Sequence, residues 1–429
     1  MKKEKITSFF QALESTKWFL ISALLFRFLL ELSYRQFVNP LYEYAGFNLD
    51  VDIFKYVESL LIYIIIVCSF PTKLTKASDY LMVYLLFSFI APLLVYYGLT
   101  NSSRGHLYIV LLGVALIFIF KNGRPINLPV VKEGRQIAVG FMLLGAALVT
   151  IWMVLSGGMS YFNLDLSRVY EFREDVGNLI NRGPMGYVNI WTTKVFGPFL
   201  LALSLWRKNV FFVVLILALH LIWFGITSHK GILFCPMLII FIWLWFRSYK
   251  ALALLPICLS LVILISLAAY LIVDDIMLGS LFVRRTFFVP ATLTFSYYDF
   301  FSNNPLVYWS ESITSSFVDY PYHISAPRVI GKYLGTQSHA NNSFLSAGYM
   351  HAGVLGVILY GVLTGFIFRV FDSLADKGVP PWVAVAMVIV PSKSLITDTD
   401  LPTALLTHGF GIALILLFLY RSSKDIKSG

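Results

Sequence analysis

Charge is what this sequence has least of. Asp, Glu, Lys and Arg make up 13% of its 429 residues, about half of the roughly 25% found in an ordinary soluble domain. Together with a hydrophobic share of 58%, that scarcity excludes a water-soluble enzyme, a disordered chain and a fibre. Cysteine is nearly missing as well. Cys68, Cys235 and Cys258 each sit inside an apolar run, so neither a disulfide framework nor a zinc spacing is available and each reads as a small core hydrophobe. No GxxxxGK[ST] phosphate loop occurs, and the short loops of one face leave no room for a nucleotide-binding domain. An internal repeat is also lacking, which disfavours an inverted-repeat transporter.

Apolar length is what the chain does have. A bilayer core takes about 20 apolar residues per helix, and twelve candidate spans can be counted. They run roughly 18–33, 56–70, 79–98, 105–120, 136–156, 187–205, 210–226, 231–246, 251–273, 353–371, 381–396 and 402–420. The first follows a Lys-rich MKKEK start and carries Arg27 and Glu31, with no A-x-A cleavage site after it, so a retained helix is expected rather than a signal peptide. Orientation comes from the basic residues. With the N-terminus inside, the inner segments hold 19 Lys and Arg in 69 residues and the outer segments 12 in 150. Both termini are therefore expected in the cytoplasm. The expected fold is one all-α polytopic membrane domain (1–429) of about twelve helices, with two long outer loops at 157–186 and 274–352. The net charge of +10 then follows from topology and needs no nucleic acid.

Loops beyond about 12–15 residues are usually functional or disordered, and these two are too rich in aromatic and apolar residues for disorder. The first carries Arg168, Arg173 and Arg182 beside Asp165, Glu171, Glu174 and Asp175. Its stretch 165–179 can form a surface helix with Arg168 and Glu171 as i,i+3 neighbours. Such a helix is either a solvated ion-paired face or a grip on an anionic group, since Arg binds phosphate bidentately. The second loop holds 13 aromatic residues between 280 and 325, with Arg284 and Arg285 among them. An interfacial aromatic belt explains the rings, while the paired arginines suit phosphate at headgroup depth. The loop ends with His323, Arg328, Lys332, His339, Asn341, Asn342 and His351. Asn both donates and accepts, which suits sugar hydroxyls, and His can act as a base near neutral pH. Polar residues inside spans are functional candidates by default. They are Arg27 with Glu31, and Lys194; near the outer face stand the His229-Lys230 turn and Lys393, Asp398 and Asp400.

The layout, with RRTFFVPATLTFSYYDFFSNNP (284–305) and SHANNSFLSAGYMHAGVLG (338–356), resembles the bacterial oligosaccharide repeat-unit (O-antigen) polymerases of the Wzy type. The second segment is also similar to the H-N-x-x-L…G-x-x-G pattern of the O-antigen ligases, but Asn341 stands where that pattern has His, followed by Asn342 and Leu345. The departure favours polymerase over ligase. The resemblance implies a GT-C-like, metal-independent and cofactor-free glycosyltransferase of the bacterial inner membrane, active at the periplasmic face. Its substrate would be undecaprenyl-pyrophosphate-linked oligosaccharide, and its partners membrane lipid and a separate chain-length regulator. A sugar hydroxyl would attack C1 of the growing chain's reducing-end sugar and the lipid pyrophosphate would depart. Developing charge on a pyrophosphate needs fixed cations, for which Arg168, Arg173, Arg182, Arg284, Arg285 and Arg328 are the candidates. His339, then His351, are the candidate bases, with Arg285 as a further catalytic candidate; Glu311, Asp299 and Asp319 are carboxylates that can serve instead. Asn341, Asn342, Tyr297, Tyr298 and Trp309 are the candidate sugar contacts. The competing expectations are a polysaccharide or lipid-linked oligosaccharide transporter (flippase), an O-antigen ligase and a non-enzymatic assembly scaffold.

Overall fold

The computed structural model describes residues 12–166 and 168–421. The MKKEK start and the basic tail after Arg421 lie outside the described residues. Among the described residues the chain is helical, and its only β pairing is an isolated bridge between Lys73 and Ala251. In chain order the helices are α1 (Thr16–Ser33), α2 (Ile53–Ser69), α3 (Ala77–Thr100), α4 (Arg104–Lys121), α5 (Gly134–Leu155), α6 (Val169–Ile180), α7 (Pro184–Trp206), α8 (Val210–Thr227) and α9 (Lys230–Phe246). They continue with α10 (Leu254–Val273), α11 (Ile276–Phe301), α12 (Ala326–Tyr333), α13 (Phe344–Ala375), α14 (Pro381–Lys393), α15 (Leu401–Leu406) and α16 (Phe410–Tyr420). Their starts are set locally. Asp52 caps α2 by accepting from Phe54 and Lys55, and Asn209 caps α8 by accepting from Phe212.

Among the described residues, eight helices are long and apolar enough to cross a membrane: α3, α4, α5, α7, α8, α10, α11 and α13. That count is below the twelve expected from sequence. The span at 402–420 divides into α15 and α16 at Gly409, whose φ is +95°. α9 and α16 are apolar but short, and α1 carries three charges. The bundle is layered. In α3 and α7, 94% and 78% of the most apolar window is buried, against 33% in α5 and 28% in α10. The outer helices turn Ile65, Leu144, Val214 and Leu264 outward. Apolar side chains pointing outward all round a bundle suit a hydrocarbon surround, in which every backbone group must be bonded inside the helices. Two buried cations, Arg27 and Lys121, are paired with carboxylates. Arg27 donates to Glu31 at 2.8 Å and to Ser59 on α2, and Lys121 reaches Asp79 at 2.9 Å.

Two features depart from the expected outer loop 274–352. First, its opening forms α11, bent by a π-helical stretch over Ser280–Phe288. Although α11 has the length and composition of a span, both its ends touch the same end of the bundle. Gly279 abuts Phe37, just beyond the C-terminus of α1, and Phe295 lies 5.3 Å from His106 at the N-terminus of α4. Second, α13 is two helices. At Gly353 φ is +58° and ψ −138°, and Gly348 packs against Gly356 so closely that a Cβ on Gly356 would collide with the Gly348 carbonyl. Eight residues of straight helix span about 12 Å, so the chain doubles back. Segment 344–351 is a half-helix buried in the bundle, with Leu345 against Gly113 half-way along α4, and 354–375 is the long helix that follows.

Candidate functional site

The loop end of the bundle collects residues 34–52, 156–183, 274–343 and 394–409. Beneath it opens a cleft of about 600 Å³ between α3, α7, α9, α10 and α14. Its walls are apolar: Tyr80, Tyr84, Ile190, Ile232, Phe234, Leu238, Leu255, Leu259, Ile389 and Val390. Its polar residues gather at one end, where α8 finishes, α9 begins and α14 finishes. Lys194, Lys393, His229, Asn181, Asn189, Thr193 and Thr227 line that head, and α6 closes over it with Gly177 and Ile180, its last turn fixed by the Trp152 indole donating to the Ile180 carbonyl at 2.9 Å.

The head is electropositive. Lys194 sits on the π-helical turn of α7 and its Nζ lies 2.9 Å from His408 Nδ1. Lys393 bonds Asp398 at 2.5 Å. His229 is pushed down to about 4 by burial, then by Arg173 and Lys194 beside it. His408 is likewise pushed down to about 4, by burial first and then by Lys194, with Asp398 opposing. Both imidazoles are therefore neutral near pH 7. Lys194 then donates to a neutral ring, and Asp398 is the carboxylate beside two lysines. Lys194 is thus a partly buried cation whose hydrogen-bond partner is neutral, a charge that an anion in the cleft would answer.

The sequence-predicted arginines do not converge. Arg173 faces His229 at the cleft head. Arg168 pairs with Glu171 at 3.0 Å and covers the Phe172 ring, while Arg182 donates to the Asn178 carbonyl. Arg284 lies over the Tyr42 ring at 4.2 Å on the bent part of α11, next to the exposed Arg285. Arg328, on α12, donates to His339 Nε2 at 2.8 Å on the exposed loop. Neither α11 nor α12 contributes to the cleft.

His351 is held tightly. The Trp309 N–H donates to its Nδ1 at 3.1 Å, so Nε2 carries the proton and donates to Asp400 Oδ2 at 2.9 Å. The Trp309 ring stacks on it at 4.8 Å, and the Trp309 indole donates to Tyr360. Both ring nitrogens are thus occupied, which makes His351 a strut between the loop 302–325 and the start of α15 and leaves it no lone pair for a substrate proton. Of the expected sugar contacts, Tyr297 is buried and donates to Ala340, and Asn342 is buried beside Thr294 with its Oδ1 unpaired among the described residues. Tyr298 packs on His106 and Tyr349, so Asn341 is the one left open to solvent. Three or more metal-binding side chains do not cluster anywhere among the described residues.

Lys194, His229, Lys393, Asp398 and Asp400 stood out in the sequence as polar groups in or beside apolar spans. His408, Asn181 and Asn189 did not. Asn189, five residues before Lys194 in the same apolar stretch, carried a signal; His408, 214 residues from its partner, carried none. No protein-family model, curated protein or solved structure matches the chain.

Proposed function

We propose that this chain is a membrane glycosyltransferase that polymerises oligosaccharide repeat units carried on undecaprenyl pyrophosphate, at the periplasmic face of the bacterial inner membrane. The observation that supports it is the cleft: apolar walls along the bundle, headed by Lys194, Lys393 and neutral imidazoles. An amphiphile with a long hydrocarbon tail and an anionic head matches both halves. The resemblance of 284–305 and 338–356 supplies the reaction class.

In the reaction the C1–O bond to the pyrophosphate breaks and a bond from C1 to the acceptor hydroxyl oxygen forms. The departing pyrophosphate keeps the electron pair, and the hydroxyl proton passes to a base. Lys194 and Lys393 would meet the charge that develops on the leaving oxygen. Fixed cations in a water-poor site are the usual source of such stabilisation. Asp398 is the carboxylate beside them, whereas His339 turns its Nε2 lone pair to Arg328.

The glycan ladder of a host from which this gene has been removed tests the proposal. Loss of a polymerase leaves a single repeat unit on the lipid core. Loss of a ligase leaves an uncapped core, and loss of a flippase leaves an uncapped core with lipid-linked units accumulating. Long chains in the deletion strain would remove the proposal. Lys194→Met and Lys393→Met are each expected to leave the single-repeat pattern while the protein persists in the membrane. Asp398→Asn should slow chain growth at least tenfold.

A further inference from the structure

A second cavity, of about 430 Å³, opens on the loop end, outside the cleft and built entirely from 300–333. That volume falls within the ~300–1,000 Å³ of small-molecule sites. Phe300 lines it, with the Tyr322 ring 5.9 Å and the Tyr333 ring 5.4 Å away, and Val329, Ile324 and Pro321 complete the apolar lining. The polar lining is Lys332 and His323, both exposed, and neither has a hydrogen-bond or ion-pair partner among the described residues. The rings are fixed rather than loose: the Tyr322 hydroxyl donates to Pro305 at 2.6 Å, and the Tyr320 hydroxyl beside it donates to Ile324 at 2.9 Å. Two basic residues lie one helical turn apart on α12, and the other one, Arg328, is engaged with His339. Lys332 is therefore the cation offered to the cavity, and among the described residues no carboxylate lines it.

From this we infer that the pocket binds an acidic sugar: a pyranose ring whose C–H face lies on Tyr322 and Tyr333 and whose carboxylate pairs with Lys332. Flat rings set at an angle give a cyclic polyol an apolar wall, while hydroxyl and amine groups at the rim meet its polar edge. A neutral sugar would leave Lys332 without a counter-charge. A lipid headgroup would place its chains against a rim that is open and polar. This inference rests on the polymerase proposal in one respect: it makes the pocket the subsite for a uronic-acid-type residue of the incoming oligosaccharide.

The test is direct binding by the purified full chain in nanodiscs, with no lipid donor. The probes are a glucuronic acid–N-acetylglucosamine disaccharide and the neutral glucose–N-acetylglucosamine disaccharide, read by saturation-transfer NMR. The acidic probe should bind at least fivefold more tightly. Lys332→Gln should reduce it to the level of the neutral probe, and Tyr333→Ala should weaken both at least fivefold. Each variant must keep the parent's melting temperature, which their exposed positions favour; Tyr333→Phe, which keeps the ring, should retain binding and serves if the alanine variant unfolds. Equal binding of the two probes, no binding by the parent, or undiminished binding by Lys332→Gln would each overturn the assignment. The glycan ladder separates the two claims. Normal polymer with no disaccharide binding removes the pocket and leaves the polymerase; intact disaccharide binding with long chains in the deletion strain does the reverse.

Discussion

Lys194 carries the largest demand of any single residue. It is a cation in a mostly buried position, bonded to a neutral imidazole, beside a second lysine whose own bond is to Asp398. Removing an ill-compensated buried charge relieves desolvation, while removing a charged hydrogen bond to a ligand costs about 1.5–3 kcal/mol. Lys194→Met should therefore melt at the same temperature as the parent or a few degrees higher, yet bind farnesyl diphosphate roughly 10–100-fold more weakly. Parallel losses of stability and binding would make Lys194 structural. The two flanking histidines give a pH signature. An unfolded His takes up its proton near pH 6.5, whereas folded His229 and His408 take theirs near 4. Between those values the unfolded chain binds more protons, so stability is complete above about 6.5 and falls as the pH drops towards 4. Melting curves across that window should slope downward for the parent and flatten in His229→Gln/His408→Gln. The sequence pointed to Lys194 because a cation inside an apolar run is costly wherever it sits. It could not supply His408, because that contact depends on how α7 and the α15–α16 turn pack.

Among the elements, α13 was the least legible. Its apolar stretch was expected to begin at 353, and the long helix does run from there. The half-helix 344–351 before it was hidden because nothing local marks a reversal except two small residues eight apart. Gly348 and Gly356 let the two helical segments touch, and Gly353 takes a φ and ψ that suit glycine alone. Gly356→Ala should drive the segments apart, with a loss of several kcal/mol seen as poor membrane accumulation and a melting temperature lowered by 10 °C or more. Gly140→Ala on α5, where a Cβ meets nothing within 4 Å, is the control. It should be neutral or stabilising by up to about 1 kcal/mol. Similar behaviour of the two variants would mean that the fold-back does not hold the bundle. α11 was missed for a different reason. Its arginines, hydroxyls and 13-aromatic neighbourhood resemble an interfacial loop, and a π-helical stretch has no period that sequence patterning detects.

At the scale of the molecule, the cleft and the outer loops are joined by a short path of hydrogen bonds and intervening chain. Lys393 holds Asp398; two residues on, Asp400 holds His351; and His351 holds the backbone and ring of Trp309, from which the chain leads to the sugar-pocket wall at Tyr322. Tyr308 and Trp309 both have positive φ, an uncommon backbone state for bulky residues that the surrounding bonds must hold in place. The loop 302–325 is thus fastened to the bundle through His351. Asp400→Ala removes the acceptor from a buried imidazole N–H, for a loss of about 1–3 kcal/mol. The loss should be local. Hydrogen exchange should rise at least tenfold across 303–325 and hardly change in α3, α7 and α14, while farnesyl diphosphate binding at the cleft stays within threefold of the parent. Acidic-disaccharide binding should fall with the loop's order. If exchange rises uniformly through the bundle instead, Asp400 and His351 support the whole fold, and the two sites are not separately anchored.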